Sequence, residues 1–191
     1  MAPIIYMIRH GEKPPKKDGK DQIGLSSKGK ERAHYLPHVF GSGSPYEIGR
    51  ILAEKPKSNG ERERPFKTVE PLAESLYLEI QKIDKDNAHE AAEAAKDFPG
   101  PGNVLICWEH GELTKIADKI GVTGFGESTG LAGQPVVYPD DHFDLIWVVP
   151  PPYNLITDVW SERVPGLDVP AIGLDVPGIQ LPDGNVDGDQ S

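Results

Sequence analysis

Residues 3–8, Pro-Ile-Ile-Tyr-Met-Ile, carry no charged position among them. A strand with one wet face would alternate, so this run predicts a strand covered on both sides. Residues 104–108 repeat the pattern, and 143–149 give a third strong strand, stopped by Pro150-Pro151-Pro152. Residues 48–53 read as a further strand and 76–80 as a short one. Between them the apolar spacing becomes that of helices. Ala33, Leu36 and Phe40 form a stripe over 28–40, which Ser26 is placed to cap and Pro37 to bend or shorten. Thr68, Leu72, Ala73 and Leu76 mark a second helix, interrupted at Pro71. Residues 88–98 are helical by alanine content, and 112–120 form a helix closed by Gly121. Polar stretches bearing Pro and Gly at 13–24, 55–65, 99–102 and 124–139 read as loops. Strands alternating with helices predict an α/β fold, a three-layer sandwich whose mostly parallel central sheet lies between helices.

The pattern fades near residue 160. Residues 1–160 are expected to form one domain, and 161–191, rich in Pro, Gly and Asp, an extended or partly disordered tail. The tail holds a near-repeat, Gly-Leu-Asp-Val-Pro at 166–170 and 173–177, too short for a solenoid. At 191 residues and 37% hydrophobic content the chain suits a single core. Its one cysteine, Cys107, lies inside an apolar strand and reads as a buried small hydrophobe, which leaves no internal disulfide and no cysteine cluster for zinc. No run approaches the ~20 apolar residues of a membrane span and no secretory leader is evident, so a cytoplasmic protein is expected.

Charge sharpens the reading. The formal net charge is -10, but residues 1–67 carry 14 Lys and Arg against 8 Asp and Glu, and the remainder 6 against 22. That asymmetry speaks against a nucleic-acid partner, yet leaves a local positive field for a small anion. The first strand hands over to Arg9-His10-Gly11-Glu12, and the strand at 104–108 to Glu109-His110-Gly111-Glu112. In a parallel sheet the strand C-termini share one edge, so the two histidines can face each other. Arg64 opens a helix after the strand at 48–53, with Arg62 as a rival. Two arginines and two histidines at three loop–helix junctions suit phosphate, because guanidinium forks bind its oxygens bidentately and helix N-termini add backbone donors.

These pieces, with Leu25-Ser26-x-x-Gly29-x-x-Arg32-Ala33, Arg64-x-x-x-Thr68, Pro71-Leu72-Ala73 and the strand from Phe143, are similar to those of the histidine phosphatase superfamily, the phosphoglycerate-mutase-like proteins, in its small single-domain branch. The resemblance implies that His10 is the nucleophile that accepts a phosphoryl group from a small phosphorylated substrate, and that Arg9, Arg64 and His110 hold its oxygens. It implies no metal and no other cofactor. Gly11, Lys13, Glu112 and Trp108 are expected on the substrate side, with Lys16, Lys17 and Lys20 either steering phosphate or simply solvated. The proton donor to the leaving oxygen has no clear counterpart. Glu109 is preferred, since Glu112 begins a helix whose dipole would keep it ionised; Glu79, Asp84, Asp86, Glu90 and Glu93 are the others. His34, His38, His89 and His142 read as surface positions. A mutase that returns the phosphoryl group to another hydroxyl, and a non-hydrolytic protein reusing the anion pocket, stand as alternatives, and the oligomeric state is left open.

Overall fold

The computed structural model describes residues 2–168. Strand β1 (Ile5–Arg9) lies at the centre of a six-stranded sheet. On one side it pairs in parallel with β4 (Asn103–Trp108), followed by β2 (Ile48–Glu54) and β3 (Ile80–Ile83), all parallel. On the other side β6 (Leu145–Val149) and β8 (Asp158–Ser161) complete the sheet, β6 antiparallel to both of its neighbours. Strand alternation divides the core. Met7, Leu52, Ile106 and Trp108 face helices α3 (Ala88–Lys96) and α4 (His110–Ile120), while Ile8, Ile51, Ala53 and Cys107 face α1 (Ser27–Phe40) and α2 (Arg64–Leu76). This is the three-layer α/β sandwich that the sequence pattern predicts.

Several local expectations need correction. Pro37 and Pro71 lie inside α1 and α2, which continue past them. The short strand expected at 76–80 begins only at Ile80, because Tyr77 adopts a left-handed conformation (φ 56°) that ends α2. The loop expected at 124–139 contains β5 (Gly124–Phe125), which pairs with β7 (Leu155–Ile156), and a 3₁₀ turn at Glu127–Thr129. The boundary expected at residue 160 falls inside β8, and packing continues to Asp168: Glu162 and Asp168 both bind the buried Arg32 of α1. The remainder of the expected tail, with most of its near-repeat, lies outside the described residues.

Candidate functional site

His10 is the first residue beyond β1, and its N–H continues the ladder by donating to the Trp108 carbonyl at 3.0 Å. The ring is 2% exposed. Its Nδ1 lies 2.7 Å from the Gly11 carbonyl oxygen, so Nδ1 carries the proton and Nε2 keeps its lone pair. Burial lowers the ring's pKa to about 3; the Gly11 carbonyl opposes that, and the nearby charges of Arg9, Arg64 and Lys13 reinforce it. The imidazole is therefore neutral at pH 7.

Two close contacts fix the turn after His10. A Cβ added at Gly11 would stand 2.9 Å from the Gly29 carbonyl oxygen, and one at Gly29 2.5 Å from that of Glu12. Only glycines allow α1 and this turn to meet. The Gly11 N–H donates to Thr68 Oγ1 at 2.8 Å, and that hydroxyl donates to the Arg64 carbonyl at 2.7 Å, which ties the turn to α2. Glu12 accepts two hydrogen bonds from Arg32, at 3.1 and 2.7 Å. Arg32 is 1% exposed and also binds Glu162 at 2.7 Å and Asp168 at 2.6 and 2.9 Å. With one guanidinium among three carboxyl groups, burial pushes Glu162 up to about 8 against the pull of Arg32. Its Oε1 has no donor among the described residues.

The arginines are anchored by carbonyls. Arg9 Nη1 donates to Asp140 and His142 carbonyls at 2.7 Å each, and its guanidinium lies 3.9 Å from the Phe143 ring centroid. Its Nε is buried without an acceptor among the described residues. Arg64, at the start of α2, donates to the Gly24 carbonyl at 2.8 Å and to that of Gln22. Arg62 instead points toward Asp86 and lines a separate hollow of about 400 Å³ with Lys55 and Lys57.

Around the second histidine the expectations fare unevenly. His110 begins α4, with Nδ1 2.8 Å from Glu109 Oε1, although not aligned for a hydrogen bond, and Nε2 2.7 Å from Asp140 Oδ1. Glu109 is the cap of α4 and accepts from the N–H groups of Gly111 and Glu112 at 3.1 and 3.3 Å. Burial pushes its pKa up, but the Gly111 N–H, His110, Lys85 and the Glu112 N–H outweigh burial and hold it below the usual value. The helix-dipole argument raised against Glu112 thus applies to Glu109 as well. Glu112 is 8% exposed and pairs with Lys115 at 2.7 Å. Trp108 is wholly buried, donating from Nε1 to the Lys85 carbonyl at 3.3 Å, so it presents no face to a substrate. Lys13 is partly exposed, 3.8 Å from Asp21. Sequence reasoning missed Asp140, delivered by a loop, and Glu54 at the C-terminal end of β2, which burial raises to about 7.

Among solved structures, a putative phosphohistidine phosphatase SixA from Agrobacterium tumefaciens is similar over 83% of this chain and 97% of its own, at 14% identity and a TM-score of 0.54. The protein histidine phosphatase SixA complexed with tungstate matches over the same shares at 15% identity and the same TM-score. The chain has the fold of these phosphatases. No family model matches the chain, and no curated protein does. Among the described residues, no helix is long and apolar enough to cross a membrane, and no group of three or more His, Cys, Asp and Glu side chains could hold a metal ion.

Proposed function

We propose that this chain is a phosphatase that cleaves small phosphate monoesters through a phosphohistidine at His10. The observation that carries the reading is the state of that ring: buried, neutral at pH 7, and held by the Gly11 carbonyl so that the Nε2 lone pair is the reactive position. In the first step Nε2 attacks phosphorus, the N–P bond forms, and the ester P–O bond breaks with its electron pair leaving on the alcohol oxygen. In the second step the oxygen of water attacks phosphorus, the N–P bond breaks, and the electron pair returns to Nε2 as inorganic phosphate leaves. Arg9 and Arg64 balance the charge spread over the transferring group, Arg9 Nε being a donor with no acceptor among the described residues. His110 completes the cradle once Asp140 yields its Nε2. Glu109, held ionised, does not serve as proton donor, and the reading favours esters whose alcohol leaves without a proton.

Turnover of an aryl phosphate by the native chain, in the presence of EDTA, tests this directly. His10→Ala should remove it while leaving the melting temperature near that of the native protein. Tungstate should inhibit competitively. Retained turnover in the variant would exclude the phosphohistidine. A second reading, a non-hydrolytic anion-binding protein, draws on the ionised Glu109 and on Asp140 against His110; tungstate binding without any ester cleavage would select it.

A further inference from the structure

We propose that the hollow beside His10 holds a second anionic group of the substrate, so that the preferred esters carry a further phosphate or carboxylate across an apolar spacer. That the ligand is a substrate rests on the phosphatase reading; that it binds here does not. The hollow measures about 870 Å³, far more than one phosphoryl group occupies and within the range that takes a whole small ligand. Arg9 and Phe143, whose ring centroid is 6.2 Å from that of His10, line it together with Lys13, Lys28 and Lys30. Pro14 and Leu25 supply apolar lining.

The charge in this concavity is unbalanced. Among the described residues that line it Glu12 is the only acid, and Arg32 engages both its oxygens. Lys13 has Asp21 at 3.8 Å, an ion pair that Asp21 shares with Lys16. No ion pair to Lys28 or Lys30 occurs among the described residues, and the first turn of α1 has no acid. A chain of net charge -10 repels anions overall, so a cationic hollow bounded by Arg9, the residue before His10, is a local feature with a local consequence. Like charges gathered around one concavity repel one another, and an anion between them relieves the repulsion. One phosphoryl group at Arg9 and His10 leaves the lysines unmatched; a second anion matches them, while the spacer covers Leu25 and Phe143.

Phosphonates, which are not hydrolysed, test the proposal on the native full chain. Calorimetry should find 1,4-phenylenediphosphonate or 4,4′-biphenyldiphosphonate binding at least about tenfold more tightly than phenylphosphonate, well beyond the factor of about two due to two equivalent ends. The preference should shrink as ionic strength rises. In Lys28→Glu/Lys30→Glu it should fall to about the statistical factor. New carboxylates in the first turn of α1 favour the helix, so that variant keeps its fold. Lys55→Glu/Lys57→Glu makes the same charge change at the other hollow and should retain the preference. No preference in the native chain, or one that survives in Lys28→Glu/Lys30→Glu or is lost equally in Lys55→Glu/Lys57→Glu, overturns the proposal. Preference without ester cleavage would sustain this site and remove the phosphatase reading, whereas cleavage without preference would do the reverse.

Discussion

His10 is defined by what its two ring nitrogens do. Nδ1 is committed to Gly11 and burial resists a second proton, so NMR of the ring should show the Nδ1–H tautomer with no titration between pH 5 and 8. Because its folded pKa of about 3 lies below that of the unfolded chain, its contribution to stability is complete above about pH 6.5 and is lost as the pH falls below that value. Glu54 works in the opposite sense. Burial raises it to about 7, with Lys85 and Arg62 opposing, and Glu109 and Glu112 reinforcing, so it stays protonated in the folded state where the unfolded chain has already ionised. Stability is therefore lost as the pH rises from about 4.5 to about 7. Glu54→Gln should melt like the native chain below pH 4.5 and gain up to about 3 kcal/mol above pH 7, read from urea unfolding at several pH values. The motif around His10 was legible because a strand buried on both faces seldom hands over directly to an arginine and a histidine. Asp140 was not: it reaches Arg9 and His110 from the loop before β6, more than a hundred residues after Arg9 in the chain, and the composition of that loop carries no signal. Nor was Glu54, whose protonation depends on burial.

At the level of elements, the sequence overstated what proline does. Pro37 and Pro71 each remove one helical hydrogen bond, yet the buried stripes of Leu36 and Phe40 and of Val69 and Leu72 hold α1 and α2 to the sheet on both sides of the lesion. It also understated the sheet. Strand β8 is short, follows three prolines, and alternates buried Val159 and Ser161 with partly exposed Asp158 and Trp160, a weak pattern beside the solid apolar runs. Strands β1 and β4 were plain because both their faces are covered. Helix α1 carries the sharpest test. Replacing a helical glycine by alanine ordinarily stabilises by up to about 1 kcal/mol, but at Gly29, in the first turn of α1, the new carbon would stand 2.5 and 2.8 Å from the backbone O and N of Glu12. Gly29→Ala should therefore destabilise by about 1–3 kcal/mol in thermal or urea unfolding, with a marked loss of any aryl phosphate turnover, because the turn that bears His10 must move off the helix.

In the molecule as a whole, Arg32 joins segments remote in sequence: Glu12 from the turn after His10, Glu162 from just beyond β8, and Asp168. Removing its charge leaves the Glu12 and Asp168 carboxylates unpaired and Glu162 without its donor, so Arg32→Ala should cost about 3–5 kcal/mol at neutral pH, measured by urea unfolding. Asp168→Ala should cost less, since Arg32 keeps Glu12 and Glu162; its loss also frees the Val164 N–H, which donates to Asp168 at 2.8 Å. The same junction has a meaning for how the protein is made. Synthesis runs from the N-terminus, so His10 and Arg32 leave the ribosome early, while Glu162 and Asp168 follow more than a hundred residues later. A nascent chain holds His10 and Arg32 long before the carboxylates that Arg32 binds, and the junction beside the turn after His10 closes only once translation has passed Asp168.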